Sequence, residues 1–176
     1  MGLDKAVNIF MQEVENSSLT FLSEIIDIAL DPVILIVVSV LIAAIFFIKN
    51  KKREGVFFIS IMGIAAILIK GFKFFFNRTR PLNAILEEAS PSFPSGHATI
   101  AVVFFGLLAF LILEIIKKKK NLHCTKISII FAAILASIIS GFTRIYLRVH
   151  WLTDVLAGFL LGGIILISGI IFYKKH

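Results

Sequence analysis

ATIAVVFFGLLAFLILEII, residues 98–116, carries a single charge, Glu114, close to its end. It shows neither the alternation of a half-buried strand nor the polar face of a surface helix. About 20 apolar residues cross the hydrocarbon of a bilayer as a helix, so this run reads as a membrane span. Four more runs read the same way: Pro32–Ile48, Val56–Phe72, Ile127–Phe142 and Val155–Tyr173. Pro32–Ile48 and Ile127–Phe142 are short and borrow a turn from their flanks. Irregular backbone in lipid would leave unpaired groups at several kcal/mol each, so every run must be helical. The expected fold is all-α, a polytopic transmembrane bundle of about five spanning helices.

Composition agrees, since 59% of the 176 residues are hydrophobic and only 16% charged, with a mean hydropathy of +0.99. The formal charge of +7 suggests nucleic acid at first, but the cations sit between apolar spans, which argues against that partner. The one cysteine, Cys124, allows no internal disulfide and reads as a loop residue. Lys49, Lys51, Lys52, Arg53, Lys117 to Lys120, Lys126, Lys174 and Lys175 fall on one side if five spans alternate. The positive-inside rule makes that side cytoplasmic, with the C-terminus there too, in a plasma membrane. The opposite side nevertheless holds Lys73, Arg78, Arg80, Arg144 and Arg148, and binding an anion would explain them.

Residues 1–31 differ in kind. Leu3, Val7, Phe10 and Val14 repeat at helical spacing, as do Leu22, Ile25, Ile26 and Ala29, with a break at Asn16-Ser17-Ser18. Asp4, Glu13, Glu15, Glu24, Asp27 and Asp31 load this segment with acid, so it reads as two amphipathic helices at the outer surface, not as a span or signal peptide. Asp31-Pro32 has the form of an N-cap followed by proline at N1. With residues 32–176 as the transmembrane part, the chain is expected to be one domain.

Three polar stretches mark the outer face. Lys73 to Pro81 ends the second span, and alone it fits snorkelling cations as well as an anion site. Pro94-Ser95-Gly96-His97 opens the third span, where free N–H groups at a helix start suit an anion and His97 adds a titratable proton. Thr143 to Asp154 leads into the fifth. If its end is helical, His150 and Asp154 share one face, and the carboxylate can orient the imidazole for attack. A structural His–Asp pair is the alternative.

Taken in order, Lys73…Arg80-Pro81, Pro94-Ser95-Gly96-His97 and Arg144…His150…Asp154 resemble the tripartite signature of the type 2 phosphatidic acid phosphatase superfamily. The resemblance covers roughly Val56 to Tyr173; Thr143 stands where that family usually has serine. It implies a membrane lipid phosphatase in which His150 is the nucleophile, Asp154 orients it, and His97 is the acid and then the base. It also implies that Lys73, Arg80, Arg144, Ser95 and Gly96 hold the phosphoryl group. The two histidines need opposite protonation states, so a bell-shaped pH–rate profile follows. Neither a metal nor another cofactor is expected. Glu87 and Glu88 lie outside the signature, and a cation would sit among basic side chains. The expected substrate is a polyprenyl diphosphate, followed by phosphatidic acid or phosphatidylglycerol phosphate, then a soluble ester. A transporter, scramblase or silent lipid-binding scaffold is the alternative of another class. Arg78, Arg148 and Trp151 fall outside the signature, and His123 and His176 read as solvated bystanders. Gly141, Gly158, Gly162, Gly163 and Gly169 read as sites of close helix packing, within the bundle or in a homodimer.

Overall fold

The computed structural model describes residues 2–117 and 123–175; Lys118 to Lys120 and His176 lie outside them. The described residues form seven helices and no strand. They are α1 (Leu3–Glu13), α2 (Ser17–Ala29), α3 (Pro32–Ile48), α4 (Lys52–Phe76), α5 (Gly96–Ile116), α6 (His123–Tyr146) and α7 (Leu152–Lys175). The Asp31 cap opens α3 as the sequence suggested, and the break read at Asn16-Ser17-Ser18 proves to hold a second cap. The Asn16 side chain accepts from the Leu19 amide at 2.9 Å, and Asp31 Oδ1 accepts from the Val33 amide at 2.8 Å with Pro32 behind it.

Helices α4 to α7 are each long and apolar enough to cross a membrane. Two expectations need correction. At 1.5 Å per residue α3 is about 25 Å long, short of a bilayer core of about 30 Å. It reaches full length only together with α2, from which it is bent by 40°. Helix α2 is therefore not a surface element alone: it packs on α6 and buries Ser23 and Asp27. Second, His123 and Cys124 belong to the exposed first turn of α6, not to a loop. Hydropathy marks the apolar middle of a helix, whereas backbone hydrogen bonding continues into its polar ends.

Helix α5 stands at the centre, packed on α3, α4, α6 and α7. Ile100, Val103 and Leu107 of α5 meet Phe58, Met62 and Ala65 of α4 in one buried cluster. Against α7 the backbones come closer. A Cβ at Gly158 would lie 2.8 Å from the Ser95 carbonyl oxygen, and one at Gly162 2.8 Å from that of Thr99. In lipid no hydrophobic force drives helices together, so such small-residue contacts supply van der Waals packing. Gly141 and Gly169 likewise receive neighbours within the chain, whereas Gly163 faces open space and takes none within the bundle. Outward-facing Leu41, Ile67, Leu160, Ile164 and Ile171 are more than half exposed, a surface that suits lipid.

The chain's alternation brings the start of α3, the end of α4, the start of α5, the end of α6 and the start of α7 to one end. There Tyr146, Leu147 and Val149 pack with Met11, Leu19, Ile85 and Leu86, which docks α1, α2 and the loop after α4 over the α6–α7 turn. The Tyr146 hydroxyl adds an acceptor for the Asn16 amide at 3.1 Å.

Candidate active site

Between α6 and α7 the chain turns sharply. Arg148 takes a left-handed conformation, φ 57°, which costs a side-chain-bearing residue roughly 1–2 kcal/mol. Its side chain is held by the Asn83 carbonyl, 2.8 Å from Nε, and by an ion pair to Glu15, also at 2.8 Å. The His150 amide then reaches back to the Arg144 carbonyl at 3.2 Å. His150 consequently precedes α7, and the expected shared helical face is corrected. Asp154 sits in the first turn of α7, where its Oδ2 accepts from the Trp151 amide at 2.9 Å. The capping geometry leaves that oxygen 3.5 Å from His150 Nδ1.

The tautomer of His150 follows from its other neighbour. Arg80 Nη1 lies 3.2 Å from His150 Nε2. A guanidinium only donates, so Nε2 must offer a lone pair and Nδ1 must carry the proton that faces Asp154. Burial first, and then Arg80, Arg144 and Lys73, hold the His150 pKa well below 6.5. The imidazole is neutral, with Nδ1 toward Asp154 and its Nε2 lone pair toward Arg80. Arg80 is itself pushed down to about 10 by burial and then by Arg144, against the pull of Asp154, and so remains charged at neutral pH.

The other signature residues gather around this pair. Ser95 caps α5, its hydroxyl accepting from the Ala98 amide at 3.4 Å, and its own amide donates to the Asp154 carbonyl at 3.0 Å. A cleft of about 490 Å³ is lined by Lys73, Gly96, His97 and His150, with Pro32, Val33, Ile36, Ala66 and Ile69 as an apolar wall from α3 and α4. A Cβ at Gly96 would meet only ordinary contacts, 3.8 Å or more, so nothing inside the protein demands glycine there. Lys73 donates to the Pro91 carbonyl at 2.5 Å and Ser90 Oγ at 3.0 Å. The Thr143 hydroxyl is spent on the Ser140 carbonyl at 2.9 Å, a bond inside α6.

Carboxylates outside the signature also reach the site. Glu88 pairs with Arg144 and, at 2.6 Å, with Arg80. Asp27 Oδ1 lies 2.5 Å from Arg144 Nη1 and 3.5 Å from His97 Nε2, and Asp31 Oδ2 lies 3.8 Å from the same nitrogen. Arg78 is also part of the arrangement: it reaches Asp154 Oδ1 at 2.5 Å and Asp4 of α1 at 2.7 Å. Trp151 donates to the Thr79 carbonyl at 2.9 Å. One signal was available in the sequence. The unexplained outer cations and the acid load of residues 1–31 are each other's partners, as in Arg144–Asp27, Arg148–Glu15 and Arg78–Asp4. Among the described residues, no group of three or more His, Cys, Asp or Glu has the arrangement to hold a metal ion.

The sequence profile of the PAP2 superfamily matches residues 54–176. The chain belongs to the PAP2 superfamily. Among curated PAP2 relatives, it is 35% identical over 128 residues to phosphatidylglycerophosphatase B of Bacillus subtilis, covering 70% of this chain and 60% of that one. It is 32% identical over 127 residues to an undecaprenyl-diphosphatase of Sulfolobus acidocaldarius, covering 68% and 55% respectively. The chain thus spans little more than half the length of these relatives. The crystal structure of a transmembrane PAP2 type phosphatidylglycerolphosphate phosphatase from Bacillus subtilis superposes with a TM-score of 0.88 at 28% identity, covering 98% of this chain and 85% of that chain. LpxE of Aquifex aeolicus, at 23% identity and a TM-score of 0.72, shares the fold. The PAP2 profile begins inside α4, whereas the structural likeness takes in nearly the whole chain, α1 and α2 with it.

Proposed function

We propose that this integral-membrane protein is a metal-independent lipid phosphatase acting through a phosphohistidine at His150. The observation that carries the reading is the neutral His150, its proton toward Asp154 and its lone pair among Arg80, Arg144 and Lys73, in a cleft with an apolar wall. A phosphoryl group entering there takes over the bonds that Arg80 and Arg144 now give Glu88. Nε2 of His150 attacks phosphorus as the bond to the leaving oxygen breaks, and His97 passes its proton to that oxygen. Water then attacks phosphorus, gives its proton to His97, and the P–N bond breaks. Arg80 and Arg144 stabilise the charge spread over the phosphoryl oxygens, with Lys73 as a point charge. Gly96 allows close approach of the ligand to the α5 N-terminus, which Ser95 caps.

The lipid chain leaves the cleft between α3 and α4, along Val33, Ile36, Ala66 and Ile69. Lys70 lines the same cleft one turn deeper than Lys73 and suits the second phosphoryl group of a polyprenyl diphosphate, our first substrate. Phosphatidylglycerol phosphate is the second reading, favoured by the similarity to the Bacillus subtilis proteins; its diester phosphate would meet the same lysine. The site lies at the end opposite Lys49, Lys51, Lys52, Arg53, Lys117, Lys174 and Lys175, an asymmetry that by the positive-inside rule supports an extracytoplasmic site and a cytoplasmic C-terminus.

Phosphate release by purified protein with chelator present tests the reading. The panel holds a polyprenyl diphosphate, phosphatidylglycerol phosphate, phosphatidic acid and glucose 6-phosphate. Release by wild type that is lost in His150→Ala is expected, fastest from the diphosphate. No release from any lipid by folded protein would favour a scaffold or transporter.

A further inference from the structure

We propose that Asp27 is the positioning carboxylate of His97, the counterpart of Asp154 at His150. The inference rests on the phosphatase reading and adds to the site a residue of α2, outside the stretch that the family profile matches.

Asp27 is 8% exposed, on a helix that packs against a membrane span. A buried charge without partners is strongly destabilising, so a carboxylate stays there only when cations or donors compensate it. Its partners are Arg144, 2.5 Å away, and the His97 ring, with Nε2 3.5 Å away. The second distance equals that between His150 Nδ1 and Asp154. The two reacting histidines therefore each have a buried carboxylate at the same separation, one from α7 and one from α2.

Placement distinguishes positioning from substrate contact. His97 lines the cleft and Asp27 does not, so a substrate there meets the ring and not this carboxylate. The charges facing His97 show why it needs such a partner. Arg80 from the loop, Arg144 from α6, and Lys70 and Lys73 from α4 all oppose a proton on the imidazole, and His150 adds a second ring. Three carboxylates favour the proton. Glu88 also faces the cleft, but an incoming phosphoryl group competes for its arginines. Asp31 is 3.8 Å away, has a more exposed side chain, and caps α3 through its other oxygen. Asp27 is the one that stays in place. By bonding Arg144 as well, it also sets the acid at a fixed distance from the phosphoryl cradle. In the first step the proton moves from the His97 ring to the leaving oxygen as the P–O bond breaks.

The leaving group separates this role from a structural one. An alkoxide needs a proton in order to leave; a nitrophenolate does not. The experiment measures kcat/KM, which reports the steps up to departure of the leaving group, for a long-chain alkyl phosphate and for p-nitrophenyl phosphate. Wild type, D27N, D27E and His97→Ala are compared in detergent, with thermal unfolding as the check on folding. Asp27→Asn is expected to lower kcat/KM for the alkyl ester about 10- to 100-fold, part of the roughly 100-fold or more that general acid catalysis contributes, and for the aryl ester less than about threefold. D27E should recover part of the loss, and His97→Ala should show the same selectivity for the alkyl ester. If D27N does not fold, D27E carries the test: its displaced charge should still slow the alkyl ester more than the aryl one. Equal losses on both esters would overturn the proposal and leave Asp27 as a partner of Arg144 alone. No His150-dependent release from either ester by wild type would instead remove the phosphatase reading, and this proposal with it.

Discussion

His150 is kept neutral by burial and by Arg80, Arg144 and Lys73, so in the proposed mechanism one set of charges would serve both nucleophile and phosphate. The consequence is visible in pH dependence. A base held well below 6.5 leaves the acid limb of kcat/KM far to the acid side, and removing a nearby cation must raise it. Arg80→Gln is expected to shift that limb upward by about one unit, since a charge at such a distance moves a pKa by one or more. Comparing the variant with wild type cancels the substrate's own ionisation. An unmoved limb would show that Arg80 does not set the state of His150. At this scale the signature residues were legible because their chemistry is unusual at a membrane face. Glu88 and Asp27 were not, because an acid in a loop or an amphipathic helix looks like ordinary solvated charge until the fold gives it a cation.

Among the elements, α5 and α7 are the pair whose spacing the site depends on, because Ser95 donates to the Asp154 carbonyl across their contact. Gly158→Ala puts a methyl group 2.8 Å from a backbone oxygen that cannot rotate away. Overpacking of this kind costs about 1–3 kcal/mol, and thermal unfolding in detergent should register it along with a fall in activity. Gly163→Ala on the same helix meets nothing within 4 Å and should be neutral or slightly stabilising, by up to about 1 kcal/mol of helix propensity. Similar unfolding temperatures for the two variants would contradict the packing account. Composition could not separate these glycines, since both sit in one apolar run and only the neighbouring helix distinguishes them. The apolar runs did reveal the spans, and Asp31 marked a helix start through cap chemistry. The role of α2 was hidden because its acid load argues against a span, whereas in the fold its buried member, Asp27, is paired with Arg144.

For the whole molecule, charge asymmetry yields an orientation that the single cysteine can report. Cys124 is exposed at the end of the bundle away from the site, and Leu82 is fully exposed in the loop above it. In intact cells a membrane-impermeant maleimide should leave Cys124 unlabelled until the membrane is opened. The same reagent should label Leu82→Cys, in a Cys124→Ser background, from outside. The reverse pattern would turn the site to the cytoplasm. The most direct test of the central claim is to quench the enzyme with base during turnover of a lipid phosphate radiolabelled in its phosphoryl group. The account predicts an acid-labile phosphoryl group on the peptide that contains His150, absent from His150→Ala. Steady phosphate release with no labelled protein, or turnover that survives in His150→Ala, would contradict it.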